Sequence, residues 1–468
     1  MKSKTPPLGR RHLLPATLLV VSLAGCAVGP AHQAPTATAT LAPTWSAPQP
    51  HSGALDSLVS FWQRWNDPAL VALIDSAQKN NPTLEQASAR IAAARASVNI
   101  AGASALPSAT GNSAINRGNA GTGVVSTIFS GSLQAAWELD LFGANQRARD
   151  AASARFAARS LDWHDARVSL AAEVATVYTS LRVNQLLLQG FDADVASRTE
   201  TARLTALKVQ AGFEAPANGA LASASVSEAK SRVAAQSTEL DLGVKALVAL
   251  SGLTESAVRA QIATRANSAP KPPALGPLAV PAATLAQRPD LASIERELAA
   301  AIADIGAAEA DRYPRITLSG SIGYSASRAM GATSDGATWG FGPAISIPLF
   351  DAGRRIANVD LAKARHAELT ASYKAAAVRA VREVEEALTR IDSVRSREAD
   401  LNASLASYTA FANAAAARLT AGVGSVLELQ EARRAVLAAQ VAVVQLERER
   451  AHAWISLYRA VGGGWTPA

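Results

Sequence analysis

Ser132-Leu133-Gln134-Ala135-Ala136-Trp137-Glu138-Leu139-Asp140-Leu141-Phe142-Gly143 alternates apolar and polar side chains before it closes on glycine. In an extended chain Leu133, Ala135, Trp137, Leu139 and Leu141 share one face, with Ser132, Gln134, Glu138 and Asp140 among those opposite. A second stretch has the same form. Trp339, Phe341, Ile345, Ile347 and Leu349 share a face, interrupted by Pro343, and the run closes Ile347-Pro348-Leu349-Phe350-Asp351-Ala352-Gly353. Upstream of it, Ile316, Leu318, Gly320, Ile322 and Tyr324 alternate with Thr317, Ser319, Ser321 and Gly323. Runs of about ten residues, lipid-compatible on one side and Ser-, Thr- and Gly-rich on the other, predict transmembrane β-strands around a wet lumen. A fourth strand is expected near Ala109 to Asn116, where the pattern is weakest. The Gly- and Ser-rich links Gly118–Ser126 and Arg328–Ala337 read as extracellular loops.

These strands belong to a unit that occurs twice. Asn81-Pro82-Thr83-Leu84 opens one helical run and Arg288-Pro289-Asp290-Leu291 another; Leu106-Pro107 closes the first and Tyr313-Pro314 the second. Two long helical segments follow in each half, broken at Gln210-Ala211-Gly212 and Thr420-Ala421-Gly422, and ending at Leu250-Ser251-Gly252 and Ala460-Val461-Gly462. The shift is 207 from Pro82 to Pro289 and from Pro107 to Pro314, 208 from Phe142 to Phe350, and 210 from Gly212 to Gly422. A nearly constant shift over landmarks in one order predicts tandem duplication of a helix–strand–strand–helix–helix unit.

The helices are long and Ala-rich. Leu170, Val174, Val177, Leu181, Asn184, Leu188 and Phe191 recur at 4-3 spacing, and Val381, Val384, Leu388, Ile391 and Val394 follow at steps of 3, 4, 3 and 3. Heptads of this kind make a narrow coiled-coil seam. At ~1.5 Å per residue, Arg147 to Gly212 spans on the order of 100 Å, longer than any compact domain of this size.

Four strands cannot close a barrel, and an open edge in hydrocarbon leaves backbone donors and acceptors unpaired. Assembly is therefore obligatory. Two copies supply eight strands and a packed interior; three supply twelve and a pore, so a homotrimer is predicted.

The N-terminus carries Lys2, Lys4, Arg10 and Arg11, then an apolar run Leu13 to Leu23 too short to span a bilayer, and ends Leu23-Ala24-Gly25-Cys26. That ending resembles a bacterial lipobox, which implies cleavage before Cys26 and acylation of its sulfur and amine. Cys26 is the only cysteine, so no disulfide within the chain can form. The Ala27 that follows it suggests outer-membrane sorting. The expected organisation is a signal peptide over 1–25, a lipidated tether over 26–60 rich in Pro, Ala, Thr and Ser, a first repeat over 61–265, a linker over 266–286 and a second repeat over 287–464.

The formal charge of +7 includes four positives in the leader, leaving +3 on the mature chain, and no basic patch is interleaved with aromatics. Nucleic-acid binding has no support. Past the leader no apolar run approaches the length of a membrane-spanning helix. His12 lies in the leader, His32 and His51 in the tether, and His164, His366 and His452 on separate helices. No metal-spaced pair, nucleophile elbow or phosphate loop appears, so neither an enzyme nor a cofactor or metal site is expected.

Several motifs together resemble the outer membrane factor family of TolC-like ducts, and within it the NodT-type lipoproteins. They are Cys26-Ala27-Val28-Gly29-Pro30; Phe61-Trp62 through Trp65-Asn66-Asp67-Pro68-Ala69-Leu70; Ala87 through Ala96; Trp137 through Gly143; Gln287-Arg288-Pro289-Asp290-Leu291; and Ile345 through Gly353. The resemblance covers nearly all of the mature chain. It implies an α+β membrane protein, internally duplicated, in which long coiled-coil helices form a periplasmic α-barrel and four strands per chain build a twelve-stranded barrel. Its implied partners are outer membrane lipid, a periplasmic adaptor (membrane fusion protein) and an inner-membrane pump. Its implied location is the bacterial outer membrane, anchored through Cys26 and spanned by the β-barrel, with a periplasmic extension.

The resemblance also locates a gate at the turns after Gly212 and Gly422. The family's acidic constriction falls on Glu431, with Glu428 one turn away, and threefold symmetry would ring the axis with these carboxylates. At the first turn the chain departs from the family pattern: Asn218-Gly219-Ala220 stands where an acid and an Arg-Ala pair are usual. Either the charge has moved to Glu214, or this tip contributes less. Arg433, Arg434 and Arg418 flank the second turn, and one of them is expected to bridge to an acid on a neighbouring coiled coil as a latch. Exposed ion pairs contribute only about 0–1 kcal/mol, so a useful latch must be partly buried. The resulting expectation is an efflux channel that conducts drugs or other small toxic compounds. The alternatives are a type I protein-secretion duct and a structural envelope lipoprotein.

Overall fold

The computed structural model describes residues 28–31, 46, 61–119, 123–263, 270–272 and 287–464. Cys26 lies outside these residues. Spatially the chain divides into two compact units: Met1–Pro35 with Ala89–Ser160 and Ser293–Tyr373, and Thr36–Ser88 with Leu161–Ala292 and Lys374–Ala468.

In chain order the elements are α1 (Pro68–Asn80), α2 (Pro82–Ala103), β1 (Ser108–Asn119), β2 (Val125–Leu139), α3 (Ala144–Gln210), α4 (Pro216–Ser251), α5 (Glu255–Ala263), α6 (Pro289–Ala310), β3 (Arg315–Ala329), β4 (Ala332–Ser346), α7 (Arg354–Thr420) and α8 (Val426–Ala460). Both α3 and α7 have 67 residues, and both α2 and α6 have 22. The shift between halves is 207 from Pro82 through the end of β2 and 210 from the start of α3 onward. The change occurs in one place. Residues 140–143 join β2 to α3, whereas 347–353 join β4 to α7.

The first unit holds a four-stranded antiparallel sheet in the order β1-β2-β3-β4. Leu133 pairs with Ile322, which pairs with Trp339; Trp137 pairs with Leu318, which pairs with Pro343. The apolar sets of β2, β3 and β4 therefore lie on one face, as the alternation predicted. Ser132, Ser319 and Ser321 lie on the other with Gln134 and Glu138. Trp339, Phe341, Ile322 and Leu133 are all exposed in the single chain, and β1 and β4 are open edges.

Three expectations at the strand ends need correction. β4 stops at Ser346, so Ile347 and Leu349 lie outside it, because Pro348 cannot donate to a ladder. Leu141 likewise follows the end of β2. The stretch expected as a loop over Arg328–Ala337 is instead mostly paired strand: Arg328 pairs with Thr333, and only Met330 and Gly331 turn the chain. Their φ values of 50° and 82° fit the left-handed two-residue turn that matches strand twist. β1, the weakest pattern, is a full 12-residue strand pairing along β2 from Ser108 to Asn119.

The strand-to-helix loops explain the twice-stated motif. The Asp140 carboxylate accepts from the Asn145 and Gln146 amides at 3.1 and 2.8 Å, capping α3. Asp351 accepts from the Gly353 and Arg355 amides at 3.1 and 3.3 Å at the start of α7. Phe142 stacks on Tyr313 with ring centroids 4.7 Å apart, joining the two copies' loops.

The core of the second unit gathers Phe61, Trp62, Trp65, Tyr458 and the α3 and α7 seams. Leu170, Val174, Leu181, Val384, Leu388, Ile391 and Val394 are buried, in keeping with the heptad reading, while Asn184, Leu188 and Phe191 are partly exposed. Asp67 caps α1 and accepts the Tyr178 hydroxyl at 2.8 Å, and that oxygen accepts from Arg182 Nε at 2.8 Å. Arg288 donates to Asp290 and Glu383, each at 2.8 Å, and to the Ala460 carbonyl at 2.9 Å. The Gln287–Leu291 motif is thus a fastener joining the start of α6 to α7 and the end of α8. Among the described residues no helix is long and apolar enough to cross a membrane.

Candidate gate at the helical turns

Both long helices end in the same way. Gly212 and Gly422 have φ of 77° and 79°, a left-handed conformation that only glycine adopts without strain. The Phe213 amide donates to the Lys208 carbonyl at 2.8 Å and Val423 to Arg418 at 3.0 Å, the paired closure of a Schellman motif. Phe213 is 85% exposed and Val423 71%. Ser425 then caps α8 by accepting from the Glu428 amide at 3.0 Å.

The residues expected at the gate fall into distinct environments. Glu431 is exposed and has no ion pair among the described residues. Glu428, one turn earlier, is paired with Arg418 at 2.8 Å across its own turn. Arg434 lies 4.0 Å from Glu228, with both side chains more than half exposed, a contact of little energetic weight. At the first turn Glu214 accepts from the Asn218 side chain at 2.5 Å, so the two residues act as one local hydrogen-bonded pair.

Arg433 is the inward-turned member of the set. Its Nη1 donates to the Ser197 carbonyl at 3.2 Å and to the Thr201 hydroxyl, both on α3. Burial holds its guanidinium below the ordinary arginine range; Asp194 opposes that shift and Arg198 adds to it. This bridge ends on a carbonyl and a hydroxyl rather than on the acid expected.

Beside it lies a cluster that the sequence reading did not single out. Arg198 is fully buried, donating from Nε to Asp194 at 2.7 Å and from Nη1 to Gln430 Oε1 at 3.3 Å. Its Nη2 and the Gln430 Nε2 are buried without a hydrogen-bond partner. The signal was available: the 4-3 seam ending at Phe191 continues to Val195 and then Arg198, a charge in a position that should be apolar.

A four-stranded sheet with open edges, two 67-residue helices and two capped helical turns define an outer-membrane channel of the helical-duct type. Residues 73–253 and 280–463 match the family described as Outer membrane efflux protein, and the chain belongs to it. It is 32% identical over 465 residues to Outer membrane protein OprJ of Pseudomonas aeruginosa, covering 96% of this chain and 95% of that one. It is 31% identical over 467 residues to Nodulation protein T of Rhizobium leguminosarum bv. viciae, covering 97% and 93%. Among solved structures it resembles the outer-membrane channel OprN, with TM-score 0.83, 30% identity, and 94% and 100% of the two chains covered. The chain is the outer membrane channel of a tripartite efflux system, a homotrimer with a periplasmic extension that works with a periplasmic adaptor and an inner-membrane pump.

Proposed function

We propose that the trimer passively conducts small toxic compounds and that its periplasmic aperture is lined by Glu431, with Glu428, Arg433, Arg434, Asn218 and Glu214 setting its resting width. The observation that carries this reading is the contrast between neighbours on α8: an exposed Glu431 with no ion pair among the described residues and a half-buried Arg433 bonded to α3. Three like carboxylates around an axis repel one another and favour cations, while the arginine bridge ties each helical pair shut. Relatives named as a solvent efflux pump outer membrane protein, a toluene efflux pump outer membrane protein and a cation efflux system protein support small-molecule cargo over secreted protein. No catalytic step is assigned to the chain. Cys26 is the proposed acylation site, and the division into leader (1–25), tether (26–60), two repeats (61–265, 287–464) and linker (266–286) is kept as part of the same proposal.

Glu431→Gln trimers in planar bilayers test the aperture. Their preference for cations over anions should fall at least about twofold, and an unchanged preference would remove Glu431 from the constriction. Deleting the gene and measuring antibiotic susceptibility beside export of a marker protein separates efflux from secretion.

A further inference from the structure

We propose that a row of arginines on the lipid-facing side of the barrel, at its extracellular rim, binds the phosphate groups of outer-leaflet glycolipid. The row is read from strand register. Thr127 of β2 pairs with Arg117 of β1 and with Arg328 of β3, and Arg328 pairs with Thr333 of β4. Cross-strand partners point to the same face, so these four side chains form one line around the barrel wall. It is the same face that carries Leu133, Trp137, Ile322 and Trp339, the side turned toward lipid.

The height of the row follows from geometry. The apolar face starts at the helix end of the sheet with Leu139, Ile316 and Ile345 and ends with Phe129, Ala326 and Ile115, a row whose β4 member is Asp335. Leu139 to Phe129 is ten steps; at about 3.3 Å each and a tilt of about 40° they rise about 25 Å, the height of the apolar band of such barrels. Thr127 and its partners are the next residues on that face, so they stand in the headgroup layer. The hairpin turns lie at the strand ends opposite α2, α3, α6 and α7, and the extension of this channel is periplasmic, so the layer is the outer leaflet.

The chemistry fits a phosphorylated headgroup. Arg117 and Arg328 are exposed, and neither ion-pairs with an acid among the described residues. A guanidinium presents a fork of donors matched to phosphate, and Thr127 and Thr333 supply hydroxyls in the same line. The acid nearest on this face, Asp335, pairs with Ala326 one row nearer the midplane and is engaged by the Tyr324 hydroxyl. The trimer thus offers six arginines at one height.

Native mass spectrometry of the purified trimer tests this with diphosphorylated lipid A, its dephosphorylated counterpart and inorganic phosphate. Wild type should retain lipid A about tenfold more strongly than the dephosphorylated lipid, and equimolar inorganic phosphate should not displace it. Arg117→Gln with Arg328→Gln should lower retention to that of the dephosphorylated lipid, while Arg117→Lys with Arg328→Lys should keep most of it. Equal retention of both lipids by wild type overturns the proposal, as does undiminished retention by the double glutamine variant. Displacement by inorganic phosphate would mark a free-anion site and overturn it also. Should the glutamine variant fail to trimerise, the wild-type lipid pair and the lysine variant still decide.

Discussion

Arg433 of α8 donates to the main-chain carbonyl of Ser197 on α3 at 3.2 Å, a bond that any side chain at position 197 would preserve. Hydrogen bonds to charged groups are worth about 1.5–3 kcal/mol, enough to shift a closed state when each of three subunits contributes one. Arg433→Ala trimers should therefore show at least about a fivefold rise in resting conductance in planar bilayers. Arg434→Ala, which loses only a 4.0 Å exposed contact, should raise it far less. Unchanged conductance in both would leave the latch without a residue.

Arg198 should matter more for stability than for flux. Its side chain is fully buried and Asp194 depends on it, so Arg198→Ala leaves a poorly solvated carboxylate and should cost about 3–5 kcal/mol in denaturant unfolding. Arg198→Met combined with Asp194→Leu removes both charges and should recover most of that loss. A single and a double variant of equal stability would show that the pair is solvated after all.

The α3 carboxyl Asp165 is pushed above the ordinary range, first by burial and then by the Asp290 charge. A raised folded-state value means the folded chain binds a proton more readily than the unfolded one, so ionised Asp165 weakens the fold at neutral pH and the penalty fades as pH falls toward about 4. Asp165→Asn should raise the melting temperature at pH 7 by a few degrees and by nothing at pH 4. A gain that is equal at both values would point to packing instead of charge.

Cys26→Ser should abolish incorporation of labelled palmitate in growing cells. The strands do not depend on the acyl chains, so trimers of the variant should still form on reconstitution. Label retained by the variant would assign the anchor elsewhere.

Much of the fold was readable because period-2 and 4-3 patterns report directly on which side chains meet lipid or a neighbouring helix. Leu133, Trp137, Ile322 and Trp339 announced their shared face, and Leu170, Val174, Leu181 and Leu388 their seam. β1 was less visible because an edge strand rich in Ser, Gly and Asn is held by the ladder of β2, not by its own side chains. The expected loop over 328–337 failed for a similar reason: Gly and Ser suit a lumen-facing strand as well as a loop, and only Met330-Gly331 turns the chain. Within the gate, the turns were visible through Gly212 and Gly422. The Arg433 contact was not, because a carbonyl acceptor such as that of Ser197 leaves no trace in residue identity. Arg198 was legible in spacing alone, because a 4-3 seam marks which positions are buried but not whether a charge there finds a partner such as Asp194.

The three surplus residues between β4 and α7 set the two halves of each subunit apart. Leu349 and Phe350, both 91% exposed, sit in that longer connection, whereas their counterparts Leu141 and Phe142 in the shorter 140–143 connection are half-buried. In the trimer such greasy protrusions therefore number three, one per subunit, where a strict repeat would give six.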